Sequence, residues 1–107
     1  DDDDAFHVRH LRSTRARALL WMGSAGTCAQ THFDRTENLF AQVAGHKRVV
    51  LAPPKAWREL HPYPAIHPSH RQAQLPAGSR WEEEALARVA GAVEASLSPG
   101  DVLYVPC

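Results

Sequence analysis

Apolar residues fall in short runs along this chain, and glycines and prolines separate them. "ARALLWMG", residues 16–23, is nearly unbroken apolar sequence and predicts a buried strand ending at Gly23, with "SAGT" turning it. "CAQTHFD" predicts a short strand and "NLFAQVAG" another. "HKRVVLAPP" predicts a third, which Pro53 and Pro54 terminate. "WRELH" has room for one helical turn. "PYPAIHPSHRQAQLPAG" is rich in proline, which fixes φ and removes donors, so it predicts an extended loop. "RWEEEALARVAG" sets Trp81, Ala85, Leu86 and Val89 at helical spacing, with Glu82 to Glu84 near the start, where the helix dipole favours negative charge. "AVEASL", the turn "SPGD" and "DVLYVP" close the chain as two strands. Many short strands with one helix predict an all-β sandwich or barrel with a minor helix, and no internal repeat is visible.

Composition narrows the picture. A length of 107 residues allows one small domain, and 44% apolar content fits a globular one. The opening "DDDD" and the arginines Arg9, Arg12 and Arg15 read as a solvated, flexible arm over residues 1–15, leaving 16–107 as the domain. Twelve basic residues balance twelve acidic ones, which speaks against nucleic acid or an acidic membrane surface as partner. No stretch reaches the roughly 20 apolar residues of a membrane span. The acidic start is unlike a signal peptide. Cys28 and Cys107 lack paired spacing and read as free thiols, so the cytoplasm or nucleus is the expected compartment.

Seven histidines in so short a chain make metal chemistry worth testing. Residues i and i+2 of a strand share a face, so His32 and Asp34 would project together, an imidazole nitrogen and a carboxylate oxygen able to meet on one ion. Such a pair suits the two-histidine-one-carboxylate site of non-haem Fe(II) oxygenases. Taken alone, a His-x-Asp triplet favours the blander alternative of a half-buried histidine and a turn-starting aspartate. Its surroundings shift the balance. Asn38, Phe40 and Gln42 fall on one strand face and Leu39, Ala41 and Val43 on the other, as in a barrel lined for a ligand. Lys47 shares a face with Val49 and Leu51, where an ammonium at the mouth of an apolar wall can anchor a carboxylate. A strand-end lysine facing water is the alternative.

"THFDRTENLFAQVAGHKRVVLAPP", "HPYPAIHPSHRQAQ" and "SLSPGDVLYVP" together resemble the cupin-like JmjC hydroxylases over roughly Leu19 to Pro106, and most of all the asparaginyl-hydroxylase subgroup of factor inhibiting HIF. The resemblance implies a partial double-stranded β-helix, or jelly-roll, with its last strands missing. It implies that His32 and Asp34 are catalytic iron ligands and that Lys47 pairs with the distal carboxylate of 2-oxoglutarate. Asn38 and Phe40 would belong to the co-substrate pocket. Arg71 and Gln72 would orient a target side chain, and an amide such as Gln72 can both donate to and accept from a carboxamide. Fe(II), 2-oxoglutarate and O₂ are then the implied cofactor and co-substrates. A protein or peptide of ankyrin-repeat type is the implied partner, and homodimerisation is expected only of a longer chain.

Two departures stand out. Ala29 occupies the place of a threonine that contacts 2-oxoglutarate in that subgroup, and the second iron histidine is expected beyond Cys107. His46, His61, His67 and His70 are expected at the surface and not as substitutes. A fragment with two of three ligands would be inactive by itself. The alternatives are a catalytically inactive cupin-like interaction module, a JmjC lysyl hydroxylase, an RNA-modifying relative and, more remotely, a zinc-dependent cupin isomerase.

Overall fold

Four short strands pair across long stretches of sequence. β1 (Asn38–Ala41) runs antiparallel to β4 (Val102–Val105), and β2 (Lys47–Leu51) antiparallel to β3 (Val93–Leu97). The computed structural model describes residues 17–107; the expected arm over residues 1–15, and with it the domain boundary, lies outside them. The pairs are nested, one two-stranded sheet holding the outer strands and the other the inner ones. The chain therefore crosses between sheets twice, and the crossings touch. Gln42 N–H donates to the Asp101 carbonyl and Gly100 N–H to the Gln42 carbonyl, both at 2.9 Å. Gly100, at φ +98°, takes a backbone conformation that a Cβ would oppose. Mostly β, with one short α-helix and two small antiparallel sheets, the architecture is that expected of part of a jelly-roll.

Proline sets the next element. Pro53 and Pro54 cannot extend the β2 ladder, and Pro54 opens a 3-10 helix over Pro54–Leu60, where a missing N–H costs nothing. Helix α1 (Arg80–Arg88) begins at Ser79, whose hydroxyl accepts from the Glu82 N–H. Between these helices lies the core of Ala56, Leu60, Ala73 and Val89, flanked by Trp57, Leu75, Ala85 and Leu86. Leu60 is the anchor; burying such a side chain stabilises by about 1.5–3 kcal/mol.

Three expectations need correction. Residues 17–23 form no strand, and Leu20, Trp21 and Met22 are 77%, 75% and 88% exposed. Apolar character alone does not make a strand; a ladder partner must satisfy its backbone, and no described segment pairs with this one. "CAQTHFD" is likewise not a strand, because its pairing shrinks to a single bridge between His32 and Gln72. In α1 the inward stripe is Glu82, Ala85, Leu86 and Val89, and Trp81 is exposed. That stripe has the 3–4 spacing of one helix face, with a glutamate in its first place.

Candidate functional site

The site is built on a small ladder of three segments. Phe33 N–H donates to the Arg71 carbonyl at 3.0 Å and Ala73 N–H to the Thr31 carbonyl at 2.8 Å, which makes His32 and Gln72 a facing pair. On the other side, Tyr63 N–H donates to the Gln72 carbonyl at 3.1 Å and Gln74 N–H to the His61 carbonyl at 2.8 Å. In an antiparallel pair whose own groups do not exchange hydrogen bonds, the facing Cα atoms approach to about 4.5 Å and the side chains lie closest. His32 and Gln72 occupy such a position. The proline-rich loop is therefore not free: its return limb is hydrogen-bonded to the segment that carries His32 and Asp34.

A hollow of about 140 Å³ opens there, lined by His32, Phe33, Asp34, Arg71 and Gln72 with Pro68 and Ser69. His32 Nδ1 lies 2.7 Å from the Gln30 carbonyl oxygen. A carbonyl only accepts, so Nδ1 carries a proton, and in the neutral imidazole Nε2 is then the nitrogen with a lone pair for a metal or a donor. Asp34 is held at both oxygens: Asn38 Nδ2 donates to Oδ2 at 2.9 Å, and Arg71 Nη1 lies 3.9 Å from Oδ1. Between the two, Phe33 meets Trp57 edge-on, with centroids 5.0 Å apart and an interplanar angle of 84°, which pins the His32–Asp34 segment against the 3-10 helix.

Lys47 and Phe40 form a second cluster. The Lys47 ammonium sits over the Phe40 ring, 4.4 Å from its centroid, a cation–π contact between β2 and β1. Neither residue lines the hollow. The two clusters are joined by one face of β1: Asn38 reaches Asp34, Phe40 reaches Lys47, and an i, i+2 pair spans about 7 Å along a strand. Asn38 is thus a partner of Asp34.

An imidazole nitrogen and a carboxylate oxygen are donors of the kind an Fe(II) site uses. Among the described residues no three His, Cys, Asp or Glu side chains converge, so these residues fit two of three protein ligands. Three of the other histidines are engaged elsewhere. His67 stacks on Tyr63 at 4.4 Å and accepts from the Ser69 N–H, His70 Nδ1 lies 3.1 Å from the His67 carbonyl, and His61 caps the 3-10 helix at φ +52°. Cys28 and Cys107 are free thiols.

Glu82 is the residue that sequence reasoning missed. It is 6% exposed, the buried charged residue among those described, and it bonds Thr31 beside His32. Its signal was available in the 82-85-86-89 spacing, masked by the run of three glutamates.

All 107 residues match the model of a family described as a cupin-like domain. Relatives include Jumonji C domain-containing protein 5 of Drosophila melanogaster, 34% identical over 86 residues, which is 80% of this chain and 21% of that protein. Lysine-specific demethylase JMJ31 of Arabidopsis thaliana is 33% identical over 92 residues, 80% of this chain and 16% of that protein. tRNA wybutosine-synthesizing protein 4 of Gibberella zeae is 32% identical over 90 residues, 84% of this chain and 7% of that protein. The chain spans a small part of the length of each. A match from residue 1 to residue 107 covers every element that builds the hollow, and on it the chain belongs to the cupin-like domain family.

Proposed function

We propose that this chain carries the metal-binding part of an Fe(II)- and 2-oxoglutarate-dependent hydroxylase of protein side chains, with asparagine carboxamides of ankyrin-type peptides as first candidates. The observation that supports it is the meeting of His32, Asp34, Arg71 and Gln72 at one hollow. His32, through Nε2, and Asp34 would hold Fe(II), with a third ligand supplied elsewhere in the full-length polypeptide. Bound with 2-oxoglutarate and O₂, the metal would supply the oxidising power for insertion of oxygen into a C–H bond. The chain's own residues would do the rest. Asn38 orients the Asp34 carboxylate. Lys47, steadied on Phe40, offers its ammonium to the far carboxylate of 2-oxoglutarate. Gln72, facing His32 across the bridge, can pair with a carboxamide and so set which carbon lies nearest the metal. Two free thiols fit a reducing compartment, the cytoplasm or nucleus. No helix among the described residues is long and apolar enough to cross a membrane.

The test is turnover by the full-length polypeptide with Fe(II), 2-oxoglutarate, O₂ and an ankyrin peptide. Succinate should appear in step with a peptide heavier by one oxygen atom, and His32→Ala or Asp34→Ala should abolish both products. Undiminished turnover in either variant sinks the ligand assignment. The names of two relatives favour a second reading, in which the same metal pair acts on a lysine side chain or on tRNA. Oxidation of a lysine peptide or an RNA, with the asparagine peptide untouched, would select that reading.

A further inference from the structure

Glu82 makes three hydrogen bonds through its side chain, and two of them reach a segment 51 residues away in sequence. Oε1 accepts from the Thr31 N–H at 3.0 Å and from the Thr31 hydroxyl at 2.5 Å, while Oε2 accepts from the Gly78 N–H at 2.6 Å. A glutamate at the third position of a helix ordinarily serves that helix alone by reaching back to the capping residue. Here one oxygen does related work at Gly78 and the other is turned to a segment far away in sequence. Burying a charged group costs several kcal/mol in order of magnitude unless its partners are all in place, so the contact is one the fold must hold accurately. Thr31 is the residue before His32, and its carbonyl accepts from Ala73 N–H, the residue after Gln72. One threonine thus carries the Glu82 contact into both sides of the facing His32–Gln72 pair.

We infer that Glu82 is a positioning residue for the site: acting through Thr31, it sets the approach of the metal-ligand candidate His32 and of the opposing amide Gln72. A wholly local role in starting α1 would require only the Gly78 bond and the Ser79 cap. It would not require a charged side chain whose better-populated oxygen lies on Thr31. The inference rests on the reading of His32 as a metal ligand.

The experiment measures Mn(II) affinity of the full-length polypeptide by electron paramagnetic resonance, beside the melting temperature and the His32 imidazole ¹⁵N shifts of the metal-free protein. Variants are Glu82→Gln, Thr31→Val, Thr31→Ser, Ser79→Ala and His32→Ala. Glu82→Gln and Thr31→Val should each weaken Mn(II) binding by about tenfold, the lower end of the range for partners of a ligand, and their double variant should weaken it no further. Both should also move the His32 ring resonances. Thr31→Ser, which keeps the hydroxyl, should restore affinity. Ser79→Ala should lower the melting temperature while leaving affinity unchanged, because it breaks the cap and not the Thr31 contact. If Glu82→Gln does not fold, Thr31→Val against Thr31→Ser decides. Affinity that follows melting temperature through all variants, Ser79→Ala included, overturns the inference, as does unchanged affinity in Thr31→Val. Unchanged affinity in His32→Ala would instead overturn the metal-site reading itself.

Discussion

Asp34 accepts a hydrogen bond from Asn38 at one oxygen and has the Arg71 guanidinium within ion-pair range of the other, and the two contacts have different consequences. The Asn38 bond, at 2.9 Å, fixes the carboxylate plane without adding charge. The Arg71 contact, at 3.9 Å between half-exposed side chains, is worth at most about 1 kcal/mol, and it places positive charge where a cation would bind. Asn38→Ala should therefore weaken Mn(II) binding by about tenfold. Arg71→Ala should leave or tighten metal binding while raising the KM for peptide, and titrations of both variants would check the split. Lys47 gives a second test. Lys47→Ala should raise the 2-oxoglutarate requirement far more than the iron requirement, since the ammonium rests on Phe40 and touches neither His32 nor Asp34. Equal changes in both would remove Lys47 from the anchoring role. At this scale the sequence named His32, Asp34 and Gln72, and the three line one hollow, although residue type alone did not set the triplet apart from a half-buried histidine beside a turn. Glu82 was passed over there: a buried carboxylate and a solvated one are spelled alike, and only the 82-85-86-89 spacing sets Glu82 apart from its two glutamate neighbours.

Helix α1 shows why some elements are readable and others are not. Its start is written locally: a serine cap, acids in the first turn, and Arg88 in the last. β2, β3 and β4 were likewise readable from short β-rich runs closed by proline or the "SPGD" turn. The run over residues 16–23 was misread because the partner that would make it a strand lies outside its own sequence. The bridge at His32 was overread as a strand for the same reason. The local script of α1 has one fragile letter. Gly78 sits at φ +67°, and a Cβ there would lie 2.9 Å from the Cys28 sulfur and 3.3 Å from its Cβ. Its N–H also donates to Glu82. Gly78→Ala should destabilise by more than about 1 kcal/mol, from the left-handed backbone and the sulfur clash together. Adding Cys28→Ala should recover the clash and not the backbone cost, so calorimetric melting should place the double variant between the two extremes. Full recovery would show that strain at φ +67° is unimportant.

Among the described residues two sheets meet a helical layer, and a charged cluster lies where the inner sheet adjoins α1. Arg48 on β2 lies opposite Ser96, so Glu94 is its diagonal neighbour on β3, within reach of a long side chain. The guanidinium bonds Glu94 at 2.9 Å and approaches Glu83 of α1 at 3.9 Å, tying the inner sheet to the helix. The hydrogen bond from Arg48, backed by its charge, holds Glu94 below the usual carboxylate range, and the same bond raises Arg48 further above its already high value. A carboxylate with a depressed folded-state pKa adds stability at all pH values above its unfolded pKa. That contribution fades as pH falls and is gone once pH has passed below the folded value. Glu94→Gln should accordingly lower the melting temperature slightly at pH 7, since both side chains are more than half exposed. The wild-type and variant curves should converge as pH drops through and below the ordinary glutamate range, where both carry a neutral side chain. High salt should also bring them together at neutral pH, since about 1 M shortens screening to roughly 3 Å. Melting curves that stay parallel from neutral to acid pH would mean that the stability difference lies in packing or unfolded-state effects, and the pairing of β2 with β3 would then owe nothing to this charge.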